Sequence, residues 1–408
     1  MNDISAGTKL ARMGPIAVTG VLVLMLAVWV LDDPSTNLET DWTAFDRAAD
    51  RFFAGETVYR PFSFEEEPLP YLYPPFVLWL SFPLALFGFL GSYAVAAVST
   101  LIAYIAGLRW FARAEDGDVD RTTGLIVAIC SGVAVGATLI GQYSGFYVLA
   151  FGAAVLLFKR DRLALAGLVL ALLWIKPNVA IVAPVALVWA RSWKTLGGFI
   201  AGSVALVLSS LPLGVGLWSG FLGNVQNMAE LQEQGIVPID KMVTVLSSVQ
   251  TIFGLQDATT VSIAIWLAIT TVLGVSILVL WTPDRLAESP VRAFGALALF
   301  AVAANPRLYF YDGALVAMGM FALWMNARVR GGELAKRWTQ RLAWVVWFGT
   351  WGSVFVELNP IVGPAVAVTL ILTAVDARRM DTGVVAEPEI GASLTVTAGS
   401  APTQDLAA

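Results

Sequence analysis

Long apolar runs recur along almost the whole chain, and they leave one fold class open. They lie at Pro15–Leu31, Phe76–Leu90, Ser92–Phe111, Thr123–Ile140, Gly145–Phe158, Leu163–Ile175, Val179–Ala190, Thr195–Val215, Thr260–Trp281, Val291–Ala304, Leu308–Met325, Leu342–Val356 and Pro360–Val375. A helix needs about 20 predominantly apolar residues to cross a bilayer. Hydrophobic residues fill 58% of the 408 positions and charged ones 13%, against about half and about a quarter in soluble domains. The pattern predicts an all-α polytopic membrane protein.

Basic clusters fix an orientation. They fall at Arg109/Arg113, Lys159/Arg160/Arg162, Arg191/Lys194, Arg285/Arg292, Arg328/Arg330/Lys336/Arg337/Arg341 and Arg378/Arg379. Cytoplasmic loops carry the Lys/Arg excess. Every cluster reaches that side if Phe76–Leu90, short and interrupted by Pro83, does not span. About twelve spanning helices result, with both ends inside. Leu163–Ile175 and Val179–Ala190 are short, and read as broken or tilted helices or as one bent unit. The first run follows Lys9 and Arg12, as a signal peptide would. Its length and the following Asp32-Asp33-Pro34 favour an uncleaved first span instead.

The outer segments are then Asp32–Pro75, Gly141–Ser144, Lys176-Pro177-Asn178, Leu217–Ala258, Asn305-Pro306-Arg307 and Glu357–Asn359. Lys176 and Arg307 break the charge bias there, each flanked by apolar runs. Ionisable groups near membrane depth mark function by default. The chain has no histidine and a single cysteine, Cys130. His-based triads, zinc cages and a disulfide framework are excluded, so acid–base work falls to Asp, Glu, Lys or Tyr. A net charge of −5 with no basic stripe outside the loops argues against nucleic acid as a partner.

Residues 41–55 form an amphipathic pattern, with Trp42, Phe45, Ala49 and Phe52 on one face and Arg47, Asp50 and Arg51 on the other. This predicts a helix lying in the interface, stopped by Gly55. Asp41 stands at its first turn, where the helix dipole favours a carboxylate. It reads as a base held at the membrane surface or as an ordinary helix-start residue. Pro74-Pro75 then makes a rigid turn after Tyr71-Leu72-Tyr73.

These residues resemble the first outer loop of glycosyltransferase family 87: Asp41 and its amphipathic stretch, Gly55-Glu56-Thr57-Val58-Tyr59, and Tyr71-Leu72-Tyr73-Pro74-Pro75-Phe76. The resemblance continues at Gly141-Gln142, Lys176-Pro177 and Asn305-Pro306-Arg307 with Tyr311-Asp312. It implies a GT-C-like domain over residues 1–380, with interfacial helices in the first outer loop. It further implies an inverting transferase of the bacterial plasma membrane, its site facing the periplasm or cell exterior. The donor would be a polyprenyl-phosphate sugar, mannose by family weight, and the acceptor a hydroxyl of a lipid-linked or cell-envelope glycan among membrane lipids.

In that scheme Asp41 is the base. Lys176 and Arg307 hold the donor phosphate, and Tyr71, Tyr73, Gln142, Asn178, Tyr311 and Asp312 face the substrates. Preorganised cations stabilise a leaving phosphate in a site shielded from water, so the resemblance calls for no metal and no cofactor. Some relatives carry a histidine in later outer loops, and this chain has none. Other readings stand beside these. Lys176 can snorkel, Arg307 can cap or pair, Gln142 can bond at a helix end, and Asp312 can pair with Arg307. Glu230, Glu233 and Asp240 read as solvated loop residues.

Asp116-Gly117-Asp118-Val119-Asp120 contains Asp-x-Asp matches but reads as a solvated inner turn. Gly198 and Gly202 form a helix-packing spacing. The tail 381–408, poor in aromatics, reads as a disordered cytoplasmic segment. A secondary transporter or lipid flippase is the alternative class; against it, the two halves show no internal repeat and the unusual polar residues collect at the outer edge.

Overall fold

The computed structural model describes residues 6–32, 42–63, 65, 69–117, 119–233, 242–255, 260–355 and 359–381. It is 83% helix, with no strand among the described residues. The chain runs through α1 (Ala6–Asp32), α2 (Trp42–Phe53), a 3-10 turn at Pro75–Val77, α3 (Leu78–Ala85) and α4 (Gly88–Ala114). Next come α5 (Arg121–Ile129), α6 (Gly132–Leu139), α7 (Ser144–Lys159), α8 (Leu163–Leu170), a 3-10 turn at Ala171–Ile175, α9 (Pro177–Ala180) and α10 (Val182–Trp189). There follow α11 (Trp193–Ser210), α12 (Gly216–Glu233), α13 (Val245–Phe253), α14 (Thr260–Leu280), α15 (Pro283–Glu288) and α16 (Pro290–Ala303). A 3-10 turn at Phe310–Gly313 leads into α17 (Ala314–Arg330), α18 (Glu333–Phe355) and α19 (Val362–Asp381).

Fewer helices are long and apolar enough to span than the sequence suggests. Gly88–Ala114, Trp193–Leu213 and Thr260–Leu280 meet that test, and α5 with α6 makes a fourth if their 48° bend lies within one span. By length and composition, three or four helices among the described residues qualify, so the expected twelve are not confirmed. The apolar runs are helical, but internal breaks shorten them. Ser144–Lys159, Leu163–Ile175, Pro177–Trp189 and Pro290–Ala303 stop at 10–17 residues, and the charged first turns of α18 shorten its apolar stretch. The polar segment Leu217–Ala258, read as a loop, instead contains α12 and α13. The tail 382–408 lies outside the described residues.

Small residues bring helices together. Bare Cα atoms at Gly107, Gly145 and Gly152 let α4 and α7 approach to backbone contact, the usual device where lipid removes the hydrophobic drive between helices. Gly198 and Gly202 do the same for α11 against α8; a Cβ on Gly202 would lie 2.7 Å from Ala171 Cβ. Buried residues cover α16 and α17 on nearly every side, so these helices form the centre. By contrast, α11 and α14 leave Ile200, Val204, Leu208, Val261, Leu267 and Val275 exposed. An apolar outer surface of this kind suits lipid rather than water.

The helix expected over 41–55 is present as α2, and Gly55 ends it with φ of +70°. Its apolar face is not spread on lipid, however. Trp42, Phe45, Ala48 and Ala49 are buried against the bundle, because Phe45 meets the rings of Tyr71, Tyr73 and Tyr143 within 6 Å.

Candidate active site

Three helix breaks meet at one end of the bundle. Pro177 pushes the preceding residue out of the helical region, and Lys176 is extended, with φ −129° and ψ 95°. Proline suits the first helical position, so α9 restarts at Pro177 and Lys176 is left at the gap. The second break is Asn305-Pro306-Arg307, after α16. The third is the entry to α13: Val243 N–H donates to Leu308 C=O at 3.0 Å, and Met242 bridges Tyr309. Thr244 and Ser247 form a capping box that starts α13 there.

Two asparagines tie the first two breaks together. Asn178 Nδ2 donates to the Arg307 carbonyl at 3.1 Å. Asn305 Nδ2 returns a bond to the Asn178 carbonyl at 2.9 Å, and Asn305 Oδ1 accepts from Arg307 N–H at 2.9 Å. Segments 127 residues apart are thus held as one unit.

That clamp sets Lys176 against Asp312. The two form an ion pair; the Asp312 side chain is fully buried and the Lys176 side chain 16% exposed. The cation is therefore the part of the pair that an incoming anion would meet. The Lys176 ammonium also sits 5.0 Å from the Tyr311 ring centroid, within cation–π range. Asp312 pairs with Lys176, a residue far from it in sequence, and not simply with its neighbour Arg307.

A second cluster surrounds the Tyr-x-Tyr-Pro-Pro loop. The Tyr73 hydroxyl donates to Gln142 Oε1. Thr100 Oγ1 fixes the Gln142 carbonyl at 2.9 Å, and Tyr59 donates to the Tyr73 carbonyl at 2.7 Å. Asn224 of α12 donates to the carbonyls of Arg60, at 2.9 Å, and Tyr71, at 3.2 Å. Burial pushes the Tyr71 phenol well above its ordinary 10, Tyr59 and Tyr143 adding to the effect. The phenol therefore stays protonated, and its hydroxyl has no hydrogen-bond partner among the described residues.

The clusters join through α6 and α7. Tyr147 of α7 faces Tyr73 and lies within Coulomb range of Asp312. On α6, Gly136 abuts the Phe310 ring, while its C-terminal end runs into Gly141-Gln142. Gly141 has φ of +72°, and a Cβ there would sit 2.8 Å from Trp42 Cβ. Trp42 N–H donates to the Ile140 carbonyl at 3.2 Å, and its indole donates to Ser92 Oγ at 2.9 Å. The start of α2 is thereby fixed beside Gln142. Asp41, the residue before it, lies outside the described residues.

The structure thus brings Lys176, Asn178, Tyr311, Asp312 and the Arg307 backbone into one cluster and Tyr71, Tyr73 and Gln142 into an adjoining one. Tyr147, Asn305 and Asn224 complete them. A tyrosine inside the apolar run Gly145–Phe158 was the available signal for Tyr147. The Asp-x-Asp segment is engaged elsewhere: Asp116 pairs with Lys159, Asp120 caps α5 and meets Arg12 at 2.9 Å, and Asp118 is outside the described residues. Glu230 and Glu233 fall on α12, and Asp240 is outside.

No curated protein and no solved structure matches this chain. Residues 71–306 match the family model of glycosyltransferase family 87. That span exceeds half of the chain and holds Tyr71, Tyr73, Gln142, Lys176, Asn178 and Asn305; Asp41, Arg307, Tyr311 and Asp312 flank it. The chain, a bundle of apolar helices, therefore belongs to glycosyltransferase family 87 and is a glycosyltransferase of membrane character.

Proposed function

We propose that this protein transfers a hexose, mannose in the first instance, from a polyprenyl-phosphate donor to a hydroxyl of a lipid-linked or cell-envelope glycan. The transfer takes place at the outer face of the bacterial plasma membrane. The observation that carries the reading is the Lys176–Asp312 pair, set at a helix break with its anion buried and its cation reachable.

The donor is a phosphodiester. The acceptor oxygen attacks the anomeric carbon, its proton passes to the Asp41 carboxylate, and the carbon–oxygen bond to phosphate breaks. The bonding pair leaves with polyprenyl phosphate, whose negative charge grows during the step. Displacement by a single attack inverts the anomeric centre. Lys176 stabilises the growing charge, Asp312 holds the ammonium in place, and Arg307 supplies a second cation from the clamped loop. A preorganised cation of this kind needs no reorganisation at the moment of reaction. Asp41 is supported by its neighbour: Trp42 is bonded to Ile140, directly before the Gly141-Gln142 turn. Tyr71, Tyr73 and Gln142 line the acceptor side, with the Tyr71 hydroxyl neutral, buried and without a hydrogen-bond partner among the described residues.

Donor binding tests the cation assignment. Polyprenyl-phosphate mannose is titrated into wild type and Lys176→Met in nanodiscs. A charge-assisted hydrogen bond contributes about 1.5–3 kcal/mol, so the variant should bind at least about tenfold more weakly. Equal binding, or preference for a nucleotide sugar, would overturn the proposal.

A further inference from the structure

One cavity lies at the end of α17 away from Lys176. It measures about 650 Å³ and opens between α5, α17 and α18. α17 begins next to Asp312 and runs 17 residues to Arg330, about 25 Å at 1.5 Å per residue. Arg328, Lys336 and Arg337 line the cavity at this far end. Trp324, Trp344 and Trp347 line it, and the lining extends along α18 to Thr350. From Glu333 to Thr350 along α18 is again about 25 Å, close to one leaflet's hydrocarbon and headgroup zone.

That end of the cavity carries excess positive charge. Arg328 donates to Gln340 Oε1 at 2.6 Å, a neutral partner, and lies 5.8 Å from the Trp324 ring centroid. Lys336 meets Glu333 at 2.9 Å, but that carboxylate is 74% exposed. Arg337 forms no salt bridge among the described residues. Asp120 at the rim is taken by Arg12. A long aromatic slot with its cations gathered at one end matches one kind of molecule.

We propose that this groove binds an anionic phospholipid, with one acyl chain between α5, α17 and α18 and the phosphate between Arg328 and Arg337. Basic pockets between helices recognise anionic headgroups, each Lys or Arg adding to the attraction. The site is independent of the donor site, because it occupies the opposite end of α17 and shares no residue with it.

Native mass spectrometry of the full chain in neutral detergent tests this, with phosphatidylglycerol against phosphatidylcholine of the same acyl chains. Retained phosphatidylglycerol adducts are expected, with few from phosphatidylcholine. Arg328→Gln with Arg337→Gln should cost roughly thirtyfold in phosphatidylglycerol affinity. Ala343→Trp, which fills the slot and keeps the charge, should also abolish the adduct. Both variants should keep the wild-type melting profile and sugar transfer, since neither touches the active site. Equal binding of the two lipids, undiminished binding by the double variant, or equally tight binding of glycerophosphate alone would overturn the proposal. So would lipid binding that emerges only after residues 382–408 are removed, which would assign the groove to that acidic segment.

Discussion

Replacing Asp312 by Asn removes the only charge from a fully buried side chain and leaves Lys176 beside it without its counter-ion. Breaking a buried pair from one side costs about 3–5 kcal/mol, because the remaining charge stays desolvated. Lys176 keeps 16% exposure and the Tyr311 ring at 5.0 Å, and a cation–π contact returns about 0.5–1 kcal/mol. The expected loss is therefore near the low end, about 3 kcal/mol, or roughly a hundredfold in the unfolding equilibrium. Removing both charges is a different matter. Buried pairs replaced by apolar groups are often neutral, so Asp312→Asn with Lys176→Met should return to within about 1 kcal/mol of wild type. Denaturant and thermal unfolding in neutral detergent, read as a double-mutant cycle, measure the coupling. The same double variant should stay inactive in sugar transfer, since its phosphate-binding cation is gone. Additive losses, with the double variant as unstable as the two singles summed, would refute the pairing and its role in holding Lys176.

Asn178→Ala removes the donor to the Arg307 carbonyl, and about 1–2 kcal/mol of stability should go with it; transfer should fall as the two breaks loosen, as measured by melting and turnover together. Gly141→Ala forces φ of +72° on a residue with a Cβ, costing about 1–2 kcal/mol before the contact with Trp42 at 2.8 Å is counted. Its melting temperature should drop, and transfer with it. Asp46 has its carboxyl pKa raised above the ordinary 3.8, by burial first; the Ser92 bond partly offsets this and Asp50 adds to it. A raised carboxyl favours the protonated folded state. Its contribution to stability is fullest below pH 3.8 and is lost as pH rises through the higher folded value. Asp46→Asn should flatten that part of the stability–pH curve and raise stability above it, checked by melting across the acid range.

Local chemistry made some of this readable in the sequence. Alternating faces and Gly55 mark α2, and Pro177 marks the break that leaves Lys176 extended. Long-range pairing was not readable. Asp312 had Arg307 five residues away as its obvious partner, but the Asn178–Asn305 clamp brings Lys176 to it from 136 residues distant. Tyr147 hid inside an apolar run whose periodicity speaks only of burial. Asn224 hid in a polar stretch that folds as α12, because Trp218 and Phe221 pack against the first-loop aromatics Phe76 and Tyr59. Helix length does not confirm the span count for a related reason: an apolar run records what contacts lipid or core, not whether its helix continues through a Pro or Gly.

Sugar transfer by wild type and Asp41→Asn bears most directly on the central claim. Both proteins, in nanodiscs, receive radiolabelled polyprenyl-phosphate mannose and a membrane lipid extract. A labelled lipid product is expected from wild type and at least about a hundredfold less from Asp41→Asn, with donor binding and melting unchanged. Equal transfer by both would remove Asp41 as the base, and no transfer by wild type from any polyprenyl-phosphate sugar would contradict the proposed donor itself.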